Sequence, residues 1–199
     1  MPRPRHLAEE AFLDTSLRVF WSKGYDRTSL ANLCQALGLG PSSIYNTFGS
    51  KEELFRRAIN HYVDIYLAPA MEIVSTPSTQ NVVELVDSLM RTLIKIYTDK
   101  ENPLGCAIFQ GSSAAAPKDS IAAEITLGPK TTLTKNLKQR FTDYAKAGEP
   151  LSSTPSTLAL FVIASLEGIS QLACDGVPRR QLLQVASHVS QSCSSAGSM

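Results

Sequence analysis

Apolar residues recur along this chain at helical intervals. Between Leu7 and Lys23, Phe12, Ser16 and Phe20 stack at i, i+4 and i+8 with Leu13, Leu17 and Trp21 beside them, and Gly24 closes the segment. Two short helices follow, Ser29 to Leu37 and Pro41 to Thr47. A fourth helix opens at Lys51, carries Leu54, Phe55, Ala58, Ile59, Tyr62, Val63 and Tyr66 on one face, and is expected to end near Leu67 because Pro69 follows. Ser75-Thr76-Pro77-Ser78-Thr79 has the composition of a loop. Asn81 to Tyr97 is strongly periodic, with Val82, Val86, Leu89, Leu93 and Ile96 on one side. Gly105 to Ala116 is a small-residue helix stopped by Pro117, and Asp119 to Tyr144 is helical in pattern, with Gly128-Pro129 either kinking it or dividing it. Thr154-Pro155 starts a helix that runs to Cys174, with Thr as N-cap and Pro at the first helical position. Asp175-Gly176-Val177-Pro178 breaks the chain, and a last helix runs from Arg179 to Gln191. No strand or repeat pattern competes, so the expected fold class is all-α.

Composition narrows the partners. The 199 residues allow one domain, or a small one beside a larger one. Nineteen Lys and Arg against eighteen Asp and Glu leave a net charge of +1, so any nucleic-acid partner has to be met by a local patch. The four cysteines, Cys34, Cys106, Cys174 and Cys193, form no C-x-x-C pair, and His6, His61 and His188 have no metal-ligand spacing; no metal or cofactor is expected. The N-terminus lacks an apolar run, which argues against a signal peptide and for a reducing, cytoplasmic setting. Leu158 to Cys174 has the length of a membrane span, but Ser165, Glu167, Gly168, Ser170 and Gln171 interrupt it, and a buried helix is expected rather than a membrane contact. Residues 151–199 carry only Glu167, Asp175, Arg179 and Arg180 as full charges. Helices so poor in charge need cover on more than one side, which a second copy of the chain supplies; a homodimer through the last two helices is expected.

The stretch that carries chemistry is Arg27 to Lys51. Thr28 is expected to cap the second helix, while Leu30, Leu33, Cys34 and Leu37 face inward. Gly38 stands where a helix ends in a left-handed residue, Leu39 plugs the turn, and Gly40-Pro41 restarts the helix. Ile44 and Phe48 hold this third helix down and leave Ser42, Ser43, Tyr45, Asn46 and Thr47 pointing outward. Two short helices, a glycine turn and an exposed face of small polar groups describe a helix-turn-helix whose second helix enters the major groove of DNA. Tyr45 can give its hydroxyl to a phosphate, and Asn46 matches adenine bidentately. Ser50-Lys51-Glu52-Glu53 has the form of a capping box, and Lys51 at that positive helix end favours a phosphate, as does Arg27 at the start of the stretch.

The run Gly24-Tyr25, Thr28-Ser29-Leu30, Leu37-Gly38-Leu39, Ile44-Tyr45 and Phe48-Gly49-Ser50-Lys51-Glu52-Glu53-Leu54-Phe55 resembles the N-terminal domain of TetR-family transcriptional regulators. The resemblance implies a three-helix DNA-binding domain, residues 1–50, and a helical ligand-binding and dimerisation domain, residues 51–199. It implies phosphate contacts at Tyr45 and Lys51, a backbone contact at Thr28 and base-reading positions at Ser42 and Ser43. Gly40-Pro41 stands where the family often has Ser-Lys, and Asn46-Thr47 where Tyr-His is frequent, so the operator cannot be borrowed from relatives. Arg3 and Arg5 are available as an N-terminal arm.

A small-molecule pocket is expected in the second domain. Its aromatic candidates are Tyr62, Tyr66, Phe109, Phe141, Tyr144 and Phe161; Met90 and Cys106 add sulfur, and Gln110, Gln171 and Glu167 add polar groups. A buried carboxylate such as Glu167 needs a partner, from a ligand, the dimer or the protein itself. Cys106 follows Gly105 at a helix start, where a thiolate is favoured, and some members of the resembled family sense oxidants or electrophiles through cysteine. An enzyme is not expected: Gly111-Ser112-Ser113 is not a nucleophile elbow, and no phosphate loop is present. The function so read is a ligand-responsive regulator, a repressor released from a near-palindromic operator, with a Cys106 thiol sensor as the alternative.

Overall fold

The structure is a computed structural model that describes the backbone of residues 5–77, 80–111 and 120–195, with side chains from residue 9 onward. The side chains of Arg3, Arg5 and His6, the serines of the Gly111-Ser112-Ser113 segment and the expected helix end at Ala116-Pro117 lie outside the described residues. Among those described, the α-helices are α1 (Arg5–Lys23), α2 (Leu30–Leu37), α3 (Pro41–Phe48), α4 (Lys51–Tyr62), α5 (Ala68–Ser75), α6 (Val82–Tyr97), α7 (Ala107–Gly111), α8 (Ile121–Lys146), α9 (Pro155–Cys174) and α10 (Arg179–Gln191), and no strand is formed. The one extended pairing described is an isolated bridge between Leu151 and Ser194.

These elements gather into two compact units. One comprises residues 1–66 and 106–128, the other residues 67–105 and 129–199. In the first unit, α1 packs against α4, α2 and α7. Leu17, Phe20 and Trp21 on α1 and Leu54, Phe55, Ala58, Ile59 and Tyr62 on α4 are buried. Phe20 meets Phe55 edge-on at 5.0 Å, and Trp21 meets Tyr62 at 4.9 Å. Such aromatic pairs add about 0.5–1.5 kcal/mol beyond the area they bury. The α7 segment comes close behind Phe55: a Cβ at Gly111 would stand 3.4 Å from Phe55 Cζ and 2.8 Å from Thr126 Cγ2, so only glycine fits there unshifted.

In the second unit α6 packs against α5, α9 and α10. Its buried stripe is Val82, Leu85, Val86, Leu89, Met90, Leu93, Ile94 and Tyr97. That stripe is broader than the periodicity suggested, and Ile96 is only half-buried at its border. Asn81 closes a capping box, accepting from Glu84 N at 2.9 Å while Glu84 Oε2 accepts from Asn81 N at 3.1 Å. Thr154 caps α9 as expected, accepting from Thr157 N, with Pro155 in the first turn.

One expectation about proline needs correction, and one open alternative is decided. The helix from Lys51 does not end before Pro69. A π-helical turn, Val63–Leu67, follows α4, and Pro69 then lies in the first turn of α5. A proline is tolerated in a first turn because its missing N–H would have no intrahelical partner there, and the wider turn before it re-phases the hydrogen bonds. Of the two alternatives at Gly128-Pro129, division does not occur: α8 continues through Pro129 from Ile121 to Lys146. The apolar α9 is long enough by composition to cross a membrane, yet 44% of its most apolar window is buried inside the protein. Ala159, Val162, Leu166, Ile169 and Ala173 form its buried face. Leu160, Phe161 and Leu172 on α9 and Val185 on α10 remain exposed.

Candidate DNA-binding surface

The geometry of α2 and α3 follows from four local devices. Ser29, not Thr28, is the N-cap of α2: Ser29 Oγ accepts from Asn32 N at 3.1 Å, and Asn32 Oδ1 accepts from Ser29 N at 3.1 Å. Thr28 is instead buried, and its hydroxyl donates to Gly24 O at 2.7 Å. With the Thr28 side chain engaged on the preceding turn, the cap falls to its neighbour Ser29. Gly38 ends α2 at φ 65°, the left-handed region that glycine adopts without a steric penalty. Leu39 N then donates to Cys34 O at 3.2 Å, and Pro41 occupies the first turn of α3. Leu33 is fully buried, while Leu30, Cys34, Leu37 and Leu39 are half-buried.

Ile44 and Phe48 are buried at 0% and 2% exposure and pin α3 by one face. The opposite face presents Ser42, Ser43, Tyr45, Asn46 and Thr47, all exposed. Thr47 Oγ1 donates to Ser43 O at 2.8 Å, which commits its proton but leaves its lone pairs and methyl group outward. Among the described residues, Ser42, Ser43, Tyr45 and Asn46 spend no side-chain hydrogen bond within the protein. The helix Pro-Ser-Ser-Ile-Tyr-Asn-Thr-Phe carries no charge, so what it can offer to a base edge is neutral donors, acceptors and a methyl group.

The cations expected to meet phosphate, Lys51 and Arg27, lie outside α3. Lys51 opens α4, whose N-cap Ser50 accepts from Glu53 N at 3.0 Å. Only this half of the expected box forms, because the Glu53 carboxylate lies 3.7 Å from Arg56 Nε instead. Burial lowers the Lys51 pKa, against a pull upward from Asp26. Arg27 is exposed and donates from Nε to Lys23 O at 2.9 Å, leaving the rest of its guanidinium outward. Arg56 and Arg57 are engaged within the protein: Arg56 pairs with Glu52 at 3.1 Å, and Arg57 pairs with Glu9 and lies over the Phe48 ring at 5.1 Å. Arg57 thus ties α3 and α4 to α1.

The expected pocket residues fall into both units. In the first, Tyr62 is buried and donates its hydroxyl to Cys106 Sγ at 3.4 Å. Tyr66 donates to Asp14 Oδ1 at 3.0 Å and stacks on Tyr62 at 5.4 Å, and Phe109 and Gln110 are half-buried. In the second, Met90, Phe141 and Tyr144 are core residues, and Phe161 is 40% exposed. Glu167 is half-buried and paired with Lys130, while exposed Gln171 donates to Asp175 Oδ1 at 2.9 Å. No group of His, Cys, Asp and Glu among the described residues could hold a metal ion. Sequence reasoning missed Tyr25, whose ring lies under the Lys51 ammonium at 4.1 Å; its place in the Gly24-Tyr25 motif was the only signal.

Known proteins agree with this geometry. Residues 12–58 match the family model described as bacterial regulatory proteins, tetR family. The HTH-type transcriptional repressor ComR of Escherichia coli K12 is 28% identical over 186 residues, covering 92% of this chain and 88% of that protein. The HTH-type transcriptional repressor BdcR of the same organism is 27% identical over 185 residues, with the same shares covered. A cysteine-substituted form of the TetR family transcriptional regulator CifR, complexed with 26-base-pair operator DNA, superposes with a TM-score of 0.83 at 29% identity, over 95% of this chain and 98% of that one. Residues 12–58 thus carry the helix-turn-helix domain of TetR-family transcriptional regulators, and along nearly its whole length the chain is similar to regulators of this kind.

Proposed function

We propose that the protein is a ligand-responsive repressor that binds a near-palindromic operator as a homodimer and is released by a small molecule. The observation that carries this reading is the outward face of α3. Five small or hydroxylated side chains stand free of charge on a helix pinned by Ile44 and Phe48, and Lys51 opens the helix that follows. Ser42, Ser43, Asn46 and Thr47 read bases; Tyr45, Lys51, Arg27 and the Thr28 backbone hold phosphates. By role, residues 1–50 form the DNA-binding domain and 51–199 the ligand-binding and dimerisation domain. The exposed Leu160, Phe161, Leu172 and Val185 give α9 and α10 the apolar surface that a second copy would cover. Two recognition helices bind one face of a duplex only when about 34–36 Å apart, and an effector acts through its differential affinity for that spacing. The repressor role follows the names of the relatives, and a cytoplasmic location belongs to the same reading.

Selection of bound duplexes from a random-sequence pool tests this. An enriched near-palindrome that disappears with Tyr45→Ala supports it; no enrichment, before and after refolding without ligand, removes it.

A second reading rests on one contact, the Tyr62 hydroxyl donated to the buried Cys106 sulfur. A hydrogen bond to sulfur favours the thiolate, and modification of Sγ by an oxidant or electrophile would displace Tyr62 in the core of the first unit. Oxidant-induced release of DNA that persists in Cys106→Ser excludes that residue as the sensor.

A further inference from the structure

Of the basic side chains around α3, Lys51 is held in an unusual way. Arg56 and Arg57 are neutralised by Glu52, Glu53 and Glu9. Lys51 is held by a ring: its Nζ lies 4.1 Å from the Tyr25 centroid, with no carboxylate among the described residues closing an ion pair on it. Tyr25 sits in the turn after α1 and is itself fixed. Its ring is 4.9 Å from Phe55 and stacked 6.2 Å from Phe20, and Phe20 meets Phe55 at 5.0 Å. Phe55 is in turn backed by Gly111, where a Cβ would already be in contact with its Cζ.

A free lysine has three flexible donors on a four-carbon stem, and it loses conformational freedom when it engages a phosphate. An ammonium resting on an aromatic face has given up much of that freedom beforehand and is partly stripped of water. It keeps its charge, because the ring face attracts the cation without neutralising it as a carboxylate would. We propose that Tyr25 is a positioning residue for operator binding: its ring face holds the Lys51 ammonium ready for a backbone phosphate, and the Phe20–Phe55 pair holds the ring. This rests on Lys51 being a phosphate contact. The lowered pKa of Lys51, caused first by burial, fits an ammonium already partly desolvated before DNA arrives. The ring adds no hydrogen bond to DNA; it acts only through Lys51.

A double-mutant cycle on the full-length protein tests the assignment, with the duplex enriched from the random pool as probe. Tyr25→Leu should weaken binding roughly 3- to 30-fold, the range of a cation–π contact, and Tyr25→Phe, which keeps the ring, should restore it. In a Lys51→Met background, Tyr25→Leu should cost less than about twofold, because the residue it acts through is gone. Thermal unfolding of each variant separates a folding defect from a binding defect. A Tyr25→Leu penalty of the same size with and without Lys51 overturns the proposal and makes Tyr25 a packing residue, as does an unchanged affinity in Tyr25→Leu. If Lys51→Met itself leaves affinity and salt dependence unchanged, the phosphate reading of Lys51 fails, and the proposal fails with it in a recognisably different way.

Discussion

Because α3 carries no formal charge, the proposed function leaves phosphate neutralisation to a few residues outside it. Each cation removed should therefore show clearly in the salt dependence. Lys51→Ala should weaken operator binding by about tenfold or more and lower the slope of log affinity against log salt by about one for each phosphate no longer neutralised. Tyr45→Ala should weaken binding with little change in that slope, because a phenol releases no counterion. Titrations at several salt concentrations distinguish the two. Ser29, which closes the cap of α2 with Asn32, makes a separate residue-scale prediction: Ser29→Ala should cost about 0.5–2 kcal/mol in urea unfolding. Cys193 is fully buried, and burial pushes its thiol pKa up to about 11. An unfolded thiol ionises at lower pH than this one, so the native state binds the proton more tightly. The associated stability is complete below the unfolded pKa and is lost as pH rises toward about 11. The alkaline fall in unfolding free energy should flatten in Cys193→Ala.

At the scale of elements, the prolines show where local sequence rules stop. Pro41 and Pro155 start helices, as their neighbours announce. Pro69 also starts one, but only because a π turn, which no residue pattern signals, lets the helical path run on from α4. Pro129 stands well inside α8, where it removes a hydrogen bond and crowds the preceding turn. Pro129→Ala should therefore stabilise the protein by about 1–3 kcal/mol, read as a higher urea midpoint at unchanged slope. No gain would mean that the α8 backbone has already adapted to the ring. Thr28 and Ser29 differ for a related reason. Both are good caps by chemistry, and the choice between them depends on Gly24 O lying within 2.7 Å of the Thr28 hydroxyl, a matter of how the chain turns after α1.

For the whole molecule, the proposed function depends on assembly, because in that reading one head binds half a site. The exposed apolar residues of α9 and α10 are where charge would be most costly if a second copy covers them. Leu160, 62% exposed in the protomer, can accept a carboxylate without harming the fold. Leu160→Glu should then leave the unfolding midpoint of the isolated protomer near wild type. It should shift sedimentation toward monomer at micromolar concentration and weaken operator binding at least about tenfold, since each head then binds alone. A variant that stays dimeric and binds normally would move the interface away from this face.

The helix-turn-helix was legible from the sequence because its determinants are local. The left-handed turn at Gly38, the proline start at Pro41 and the inward pair Ile44 and Phe48 lie within a few residues of one another, and backbone sterics and side-chain spacing act over that range. The same locality made the ends of α6, α9 and α10 readable. Tertiary structure decided what depends on residues far apart in the chain. Such pairs include Lys130 with Glu167, Tyr62 with Cys106, Arg57 with Glu9, and the Tyr25 ring beneath Lys51. A periodic pattern says which face of a helix is buried but not which neighbour it meets. Long-range pairing is set by how all the faces pack at once, and that is where the working environment of Lys51 was fixed.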